Sequence, residues 1–184
     1  MKENFEIFFD MCIAHEGGFT DDQVDNGNNQ GDGHGNRGST MWGVTAYNWA
    51  KYTGKPAPIE VMKKLTKKDV MPFAKEWYWD GVKADLLPHG VDIALCDMAY
   101  NAGNRPAVKL LQRAISATDD GLIGKMTIAA AHNMKPEQVV LNFKDQRQKY
   151  YDSLGQDRFI RGWTNRNDQT TEKALDLIEK SNAR

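Results

Sequence analysis

Apolar residues at Phe5, Phe8, Phe9, Cys12 and Ile13 follow the i, i+3, i+4, i+7, i+8 rhythm of one helix face. Gly17 and Gly18 end that helix, because glycine readily takes the left-handed geometry of a helix stop. Glu16 therefore falls at its last turn. Nearly every residue from Thr20 to Ser39 is then polar or glycine. The strand-like run in this region is STMWGVT, residues 39–45, so a small β-hairpin is expected within residues 20–43. A short helix follows from about Thr45 (TAYNWAKYT) to a stop at Gly54.

Downstream the helical rhythm dominates. LTKKDVMPFAKEWYW carries a capping-box pattern in Thr66 and Asp69, with Leu65 and Val70 at hydrophobic-staple spacing. Pro72 lies inside that pattern, so either the helix kinks there or it starts later than Thr66. GVDIALCDMAYNAG places Val91, Ala94, Leu95, Met98 and Ala102 on one face and stops at Gly103. NRPAVKLLQRAISA begins with Pro106 near its first positions. TDDG is a turn, and KMTIAAAHNM is a short helix. KPEQVVLNFKDQRQKYYDSLG is a long helix between Pro136 and Gly155, and a final helix is expected from about Thr170. No long segment alternates with period two, and no repeat or proline-rich linker interrupts the chain. The pattern predicts one mostly α domain, with a helical second half.

Composition agrees with a folded domain. The chain has 184 residues, 40% hydrophobic, with five Trp, six Tyr and seven Phe, enough to build a core. A formal net charge of −1 argues against a nonspecific nucleic-acid binder. The basic run Lys63, Lys64, Lys67 and Lys68 reads as a solvated helix face. Cys12 and Cys96 sit among apolar neighbours and read as small core residues rather than a disulfide framework. The first helix is interrupted by Glu6 and Asp10, so it is neither a signal peptide nor a membrane span. Synthesis in the cytoplasm, without a membrane anchor, is the expectation.

Most catalytic chemistries leave no trace. The histidines His15, His34, His89 and His132 are scattered without zinc-ligand spacing. DNGNNQGDGHGN offers Asp25, Asn29 and Asp32 but lacks the order and closing glutamate of a calcium loop. No metal and no cofactor are expected. There is no GxSxG, SxxK or phosphate-binding glycine pattern. What remains is a pair of carboxylates, with eight residues between Glu16 and Asp25 across a glycine-rich turn. Glycosidic cleavage needs one protonated carboxyl to serve the leaving oxygen and one ionised carboxyl to act on water or on the sugar. Spacing alone does not lift this pair above the ordinary, since a glutamate ending a helix and an aspartate making a turn are both common.

A wider set of motifs is more specific. HEGGF, then DDxxD, then TxxGVT resembles the opening of glycoside hydrolase family 108, lysozyme-like N-acetylmuramidases found among phage endolysins and bacterial wall-lytic proteins. EWYWDGVKADLLPHGVDIALCDMAYNAGNRPAVKLLQRAI resembles that family's continuation. DDGLIGKMTIAAA and FIRGWTNR look like the peptidoglycan-binding half that usually follows. The resemblance covers nearly the whole chain, in the family's order.

It implies a lysozyme-like α+β fold with a small β-hairpin at the active site and a helical C-terminal lobe. Residues 1–88 would form the catalytic lobe and 89–184 the peptidoglycan-binding-like lobe of one domain. Glu16 matches the presumed general acid. The Glu–Asp spacing resembles phage-type lysozymes, where the aspartate positions or activates water, and Asp25 takes that place. Thr40 matches a threonine lying close to that water. In the family the threonine follows the aspartate closely, whereas here Asn28 to Arg37 reads as an insertion, tolerated because loop closure costs little per added residue. Asp32, inside it, is a rival second carboxylate. Asp97 and Asn101 match D-x-A-x-N-x-G. Asn101 is a candidate sugar contact, and Asp97 reads as structural. Trp42 and Tyr47, beside the polar hairpin, are candidate sugar platforms, whereas Trp77 and Trp79 read as core.

The implied activity is hydrolysis of the β-1,4 bond between N-acetylmuramic acid and N-acetylglucosamine, in a phage or prophage endolysin released to the cell wall through a holin. The expected partner is the peptidoglycan glycan strand, met by a monomer without nucleic acid or stable membrane insertion. Two other readings stay open: a lytic transglycosylase, and a non-catalytic wall-binding or secretion-assisting protein.

Overall fold

Helix α1 spans Lys2–His15 and buries Phe5, Phe8, Phe9, Cys12 and Ile13, the face its apolar rhythm marks. The computed structural model describes residues 2–16, 18–22 and 28–183. Contacts divide the chain into two compact units: Met1–Met11 with Glu76–Arg184, and Cys12–Lys75.

The larger unit is built around α5 (Val91–Ala102). Its apolar rhythm suggests one buried face, but every residue from Val91 to Tyr100 is buried. A helix that is covered on all sides must be a core element. It is covered by α6 (Asn104–Ala114), α8 (Pro136–Ser153) and α9 (Asp157–Asn182), with the short α7 (Lys125–His132) against α8. Phe5 and Phe8 of α1 pack on Trp79 at centroid distances of 5.7 and 5.8 Å, and Phe8 also meets Tyr100. Trp79 is fully buried, and its indole N–H donates to Asp85 at 3.0 Å, as its core reading requires.

Helix α9 corrects the expected final helix, which was to begin near Thr170. It begins at Asp157 and runs through Gly162. Glycine is a poor helix former, and RFIRGW reads locally as a break. Packing overrides that preference. Phe159 stacks on Trp163 at 5.7 Å and Trp163 on Tyr151 at 5.3 Å, while Arg166, Asn167 and Thr170 bond inward to α5 and α8.

At the centre of this unit Asp97 is completely buried between two arginines. Arg147 donates to it at 2.5 Å, Arg166 donates through two nitrogens at 2.9–3.2 Å, and the Thr170 hydroxyl adds a bond of 3.1 Å. Burial works against the charge, but the Arg166 and Arg147 guanidiniums outweigh it and hold the carboxyl well below the usual carboxylate range. Asp97 is thus a structural residue that locks α5 to α8 and α9.

The smaller unit contains the end of α1, a hairpin of β1 (Thr40–Met41) and β2 (Val44–Thr45), and the helices α2 (Ala46–Thr53), α3 (Ile59–Met62) and α4 (Lys67–Ala74). Thr45 caps α2 by accepting from the Asn48 N–H, and Gly54 ends it at φ 68°. Thr66 and Asp69 close a full capping box on α4, so the helix starts at the first of the two expected places. Pro72 stays inside α4, and a π-helical turn, Lys75–Asp80, follows directly. Both cysteines are buried thiols that form no disulfide. Among the described residues no helix is long and apolar enough to cross a membrane.

Candidate active site

Glu16 directly follows α1, and its backbone N–H still donates to the Cys12 carbonyl at 3.0 Å, extending the helical ladder by one residue. A few residues on, Thr20 pairs with Thr40 as an isolated antiparallel bridge, each N–H donating to the other's carbonyl at 2.8–2.9 Å. Thr40 pairs on its other side with Thr45. Thr40 is therefore the middle rung of a three-segment row. Residues directly opposite in antiparallel pairs point to the same face, so the Thr20, Thr40 and Thr45 side chains share one face. The bridge fastens the chain leaving Glu16 to the strand that carries Thr40.

Asp25, the expected partner of Glu16, lies outside the described residues. Its rival, Asp32, is buried and heavily engaged. One oxygen accepts the backbone N–H groups of His34 and Asn36 at 2.8 and 3.0 Å. The other accepts the Asn36 amide at 2.7 Å and the backbone N–H of Ala57 at 2.9 Å. Burial raises the carboxyl's pKa. The Asn36 amide and the N–H groups of His34, Ala57 and Asn36 outweigh it and hold the group well below its ordinary value. N–H dipoles aimed at both oxygens favour a carboxylate that organises a loop. They also oppose a cation at those positions, so these residues do not fit a calcium loop.

The expected insertion is thus a built structure. Asp32 ties it to Ala57, and the Asp32 N–H donates to the Asn36 carbonyl at 3.2 Å. Arg37 donates to the Asp21 carbonyl at 3.1 Å. Gly38 lets the two ends of the loop close, since a Cβ there would stand 2.1 Å from the Asn28 carbonyl oxygen. Asn28 is fully buried. Its amide donates to the Asp22 carbonyl at 2.9 Å and its oxygen accepts the Thr40 hydroxyl at 2.8 Å. No local sequence signal marks Asn28 out, because its partners come from both sides of the loop.

Trp42 and Gly43 form the two-residue turn between the strands, with φ of 53° and 77°. Positive φ at both positions is what a type I′ hairpin needs. For a tryptophan this backbone costs about 1–2 kcal/mol. The indole is pinned in return: its N–H donates to the Leu65 carbonyl at 2.9 Å, and the Lys67 ammonium lies 5.3 Å from the ring centroid. Lys63 lies 4.8 Å over the Phe19 ring. Two lysines of the basic run thus rest on aromatic rings beside the hairpin. Tyr47 is 39% exposed, and a Cβ added at Gly33 would contact its ring edge at 3.7 Å, so this ring borders the inserted loop.

Asn101 belongs to the other unit. Its side-chain oxygen accepts the Tyr151 hydroxyl at 2.8 Å, and that hydroxyl in turn accepts from Arg147 at 2.7 Å. The Asp97–Arg147 cluster thereby fixes the amide orientation and leaves the Asn101 N–H groups as what it can offer a ligand.

Comparisons with known proteins agree with this architecture. A sequence model described as Glycosyl hydrolase 108 matches residues 9–103, and one described as "Predicted Peptidoglycan domain" matches residues 106–168. No curated protein matches the chain significantly. Among solved structures, the chain is similar to SagA of Brucella abortus, at 31% identity over 97% of each chain and a TM-score of 0.84. The fold is lysozyme-like, mostly helical with a small antiparallel hairpin. With a matched hydrolase segment covering the Glu16 helix end, the hairpin and α5, this chain belongs to the glycosyl hydrolase 108 family and is a glycoside hydrolase acting on peptidoglycan.

Proposed function

We propose that the protein is an N-acetylmuramidase that cleaves the β-1,4 bond between N-acetylmuramic acid and N-acetylglucosamine. The observation that carries the reading is the Thr20–Thr40 bridge, which fastens the segment after Glu16 to the Thr40 strand. Glu16 protonates the glycosidic oxygen. Asp25, aided by Thr40, directs water to the opposite face of the sugar, with inversion where the two carboxyls stand far enough apart to hold that water. Trp42 and Tyr47 present aromatic faces to sugar rings, and Asn101 offers its amide N–H to the glycan. A monomer serving as a phage or prophage endolysin, released to the wall through a holin, fits this chemistry.

Glu16→Gln keeps shape and removes the acid. Dye release from purified cell walls should fall by at least about 100-fold, the usual worth of a general acid. Clearing at the wild-type rate by a folded Glu16→Gln protein would sink the assignment. Mass spectrometry of the wild-type products separates the alternatives. A reducing-end N-acetylmuramic acid supports hydrolysis, a 1,6-anhydro end means a lytic transglycosylase, and wall binding without soluble fragments means a non-catalytic protein.

A further inference from the structure

The hydrogen-bond chain from Asp22 through Asn28 to Thr40 has a direction. The Asp22 carbonyl can only accept, so Asn28 must turn its NH2 toward it, at 2.9 Å. That orientation leaves the Asn28 amide oxygen facing the Thr40 hydroxyl at 2.8 Å. An amide oxygen can also only accept, so the Thr40 hydroxyl must be the donor. A hydroxyl has one proton and two lone pairs, and here the proton is committed. Any further partner of Thr40 Oγ must therefore donate to it.

Asn28 is held in place to do this. Its side chain is fully buried, so turning the amide over would set donor against donor at Thr40 unless the hydroxyl turned too, and acceptor against acceptor at Asp22. Its carbonyl lies directly against Gly38, at a separation no side chain could share. The Asp32 clamp then closes the rest of the loop onto Ala57.

We propose that Asn28 is a positioning residue that fixes Thr40 as a hydrogen-bond acceptor for the attacking water. This rests on the hydrolytic role proposed for Thr40. A water that gives one hydrogen to Thr40 and the other to the second carboxylate turns a lone pair toward the anomeric carbon. The bond from water oxygen to that carbon forms as the glycosidic bond breaks. Glu16 gives its proton to the leaving oxygen, the second carboxylate takes one from the water, and Thr40 neither gains nor loses a proton. The insertion after Asp25 would thus belong to the catalytic apparatus, because it supplies the group that sets the threonine's polarity.

A double-mutant cycle on soluble glycan-strand fragments tests this. Thr40→Val should lower kcat about 100-fold, and Asn28→Ala about 10- to 100-fold with KM changed less than about threefold, as expected for a misdirected nucleophile. The double variant should be no worse than Thr40→Val within about twofold, because Asn28 acts through Thr40. Multiplying effects, or wild-type kcat in Asn28→Ala while Thr40→Val is impaired, would overturn the proposal and leave the hydrolytic role of Thr40 standing. Wild-type kcat in Thr40→Val would overturn that role, and the proposal with it. Circular dichroism monitors folding. Should Asn28→Ala fail to fold, Asn28→Ser takes its place: it removes the amide oxygen that accepts from Thr40, so kcat should fall about 10- to 100-fold with KM changed less than about threefold, and wild-type kcat in the folded protein while Thr40→Val is impaired would overturn the proposal.

Discussion

Asp32 offers a direct separation of structure from chemistry. Asp32→Asn preserves size but exchanges one acceptor oxygen for an NH2 group. The amide oxygen can keep one pair of donors, for example the N–H groups of His34 and Asn36. The new NH2 then confronts the Asn36 amide and the Ala57 N–H. The Asn36 side chain can turn toward solvent, whereas the Ala57 N–H belongs to a fully buried residue. Orphaning that donor costs about 1–3 kcal/mol. The two retained bonds lose their charge assistance, which is roughly half their strength. The total is about 2–4 kcal/mol, or a fall in melting temperature of roughly 10 °C for a chain of this size. Thermal denaturation followed by circular dichroism measures it, beside a wall-lysis assay well below the transition. The pH dependence has a definite sign. The folded carboxyl titrates below its unfolded value. Its stabilisation is therefore present above the ordinary aspartate range and is lost as pH falls toward the folded value. The gap between wild type and Asp32→Asn should narrow on acidification from pH 6 toward pH 3. Unchanged melting with a hundredfold loss of turnover would refute this reasoning and make Asp32 the second carboxylate.

Two further outcomes test the framework. Asp97→Asn leaves Arg147 and Arg166 buried without their anion, so chemical denaturation should show a loss of about 3–5 kcal/mol. Gly38→Ala should disorder the 28–38 loop, since the added methyl would stand 2.1 Å from the Asn28 carbonyl oxygen and force backbone to shift. Faster limited proteolysis within that loop, with α5 to α9 still protected, is the expected result.

The legible parts of the fold were those written in short-range pattern. The start of α2 near Thr45, the capping box of α4, the stop at Gly54 and the buried face of α1 all depend on residues a few positions apart, whereas STMWGVT, which reads as a single strand-like run, holds both strands of the hairpin around the Trp42–Gly43 turn. Glu16 and Thr40 are proposed on motif order, and the Thr20–Thr40 bridge, which no short-range pattern announces, ties the segment after Glu16 to the Thr40 strand. The start of α9 was not legible, because Gly162 disfavours a helix locally, and the Phe159–Trp163–Tyr151 stack with the inward bonds of Arg166, Asn167 and Thr170 restores it.

The sequence by itself determined a helical chain with one hairpin and an acid at a helix end, because helix periodicity, caps and turn glycines act over a turn or two. The tertiary structure decided what the other polar residues do. Asp97 finds its arginines 50 and 69 residues away, Asp32 finds Ala57 25 residues on, and Asn28 reaches Thr40 across the loop. A carboxylate or amide in a sequence shows its capacity to bond. Burial, and the donors that converge on it from distant parts of the chain, determine whether that capacity goes to chemistry or to holding the fold.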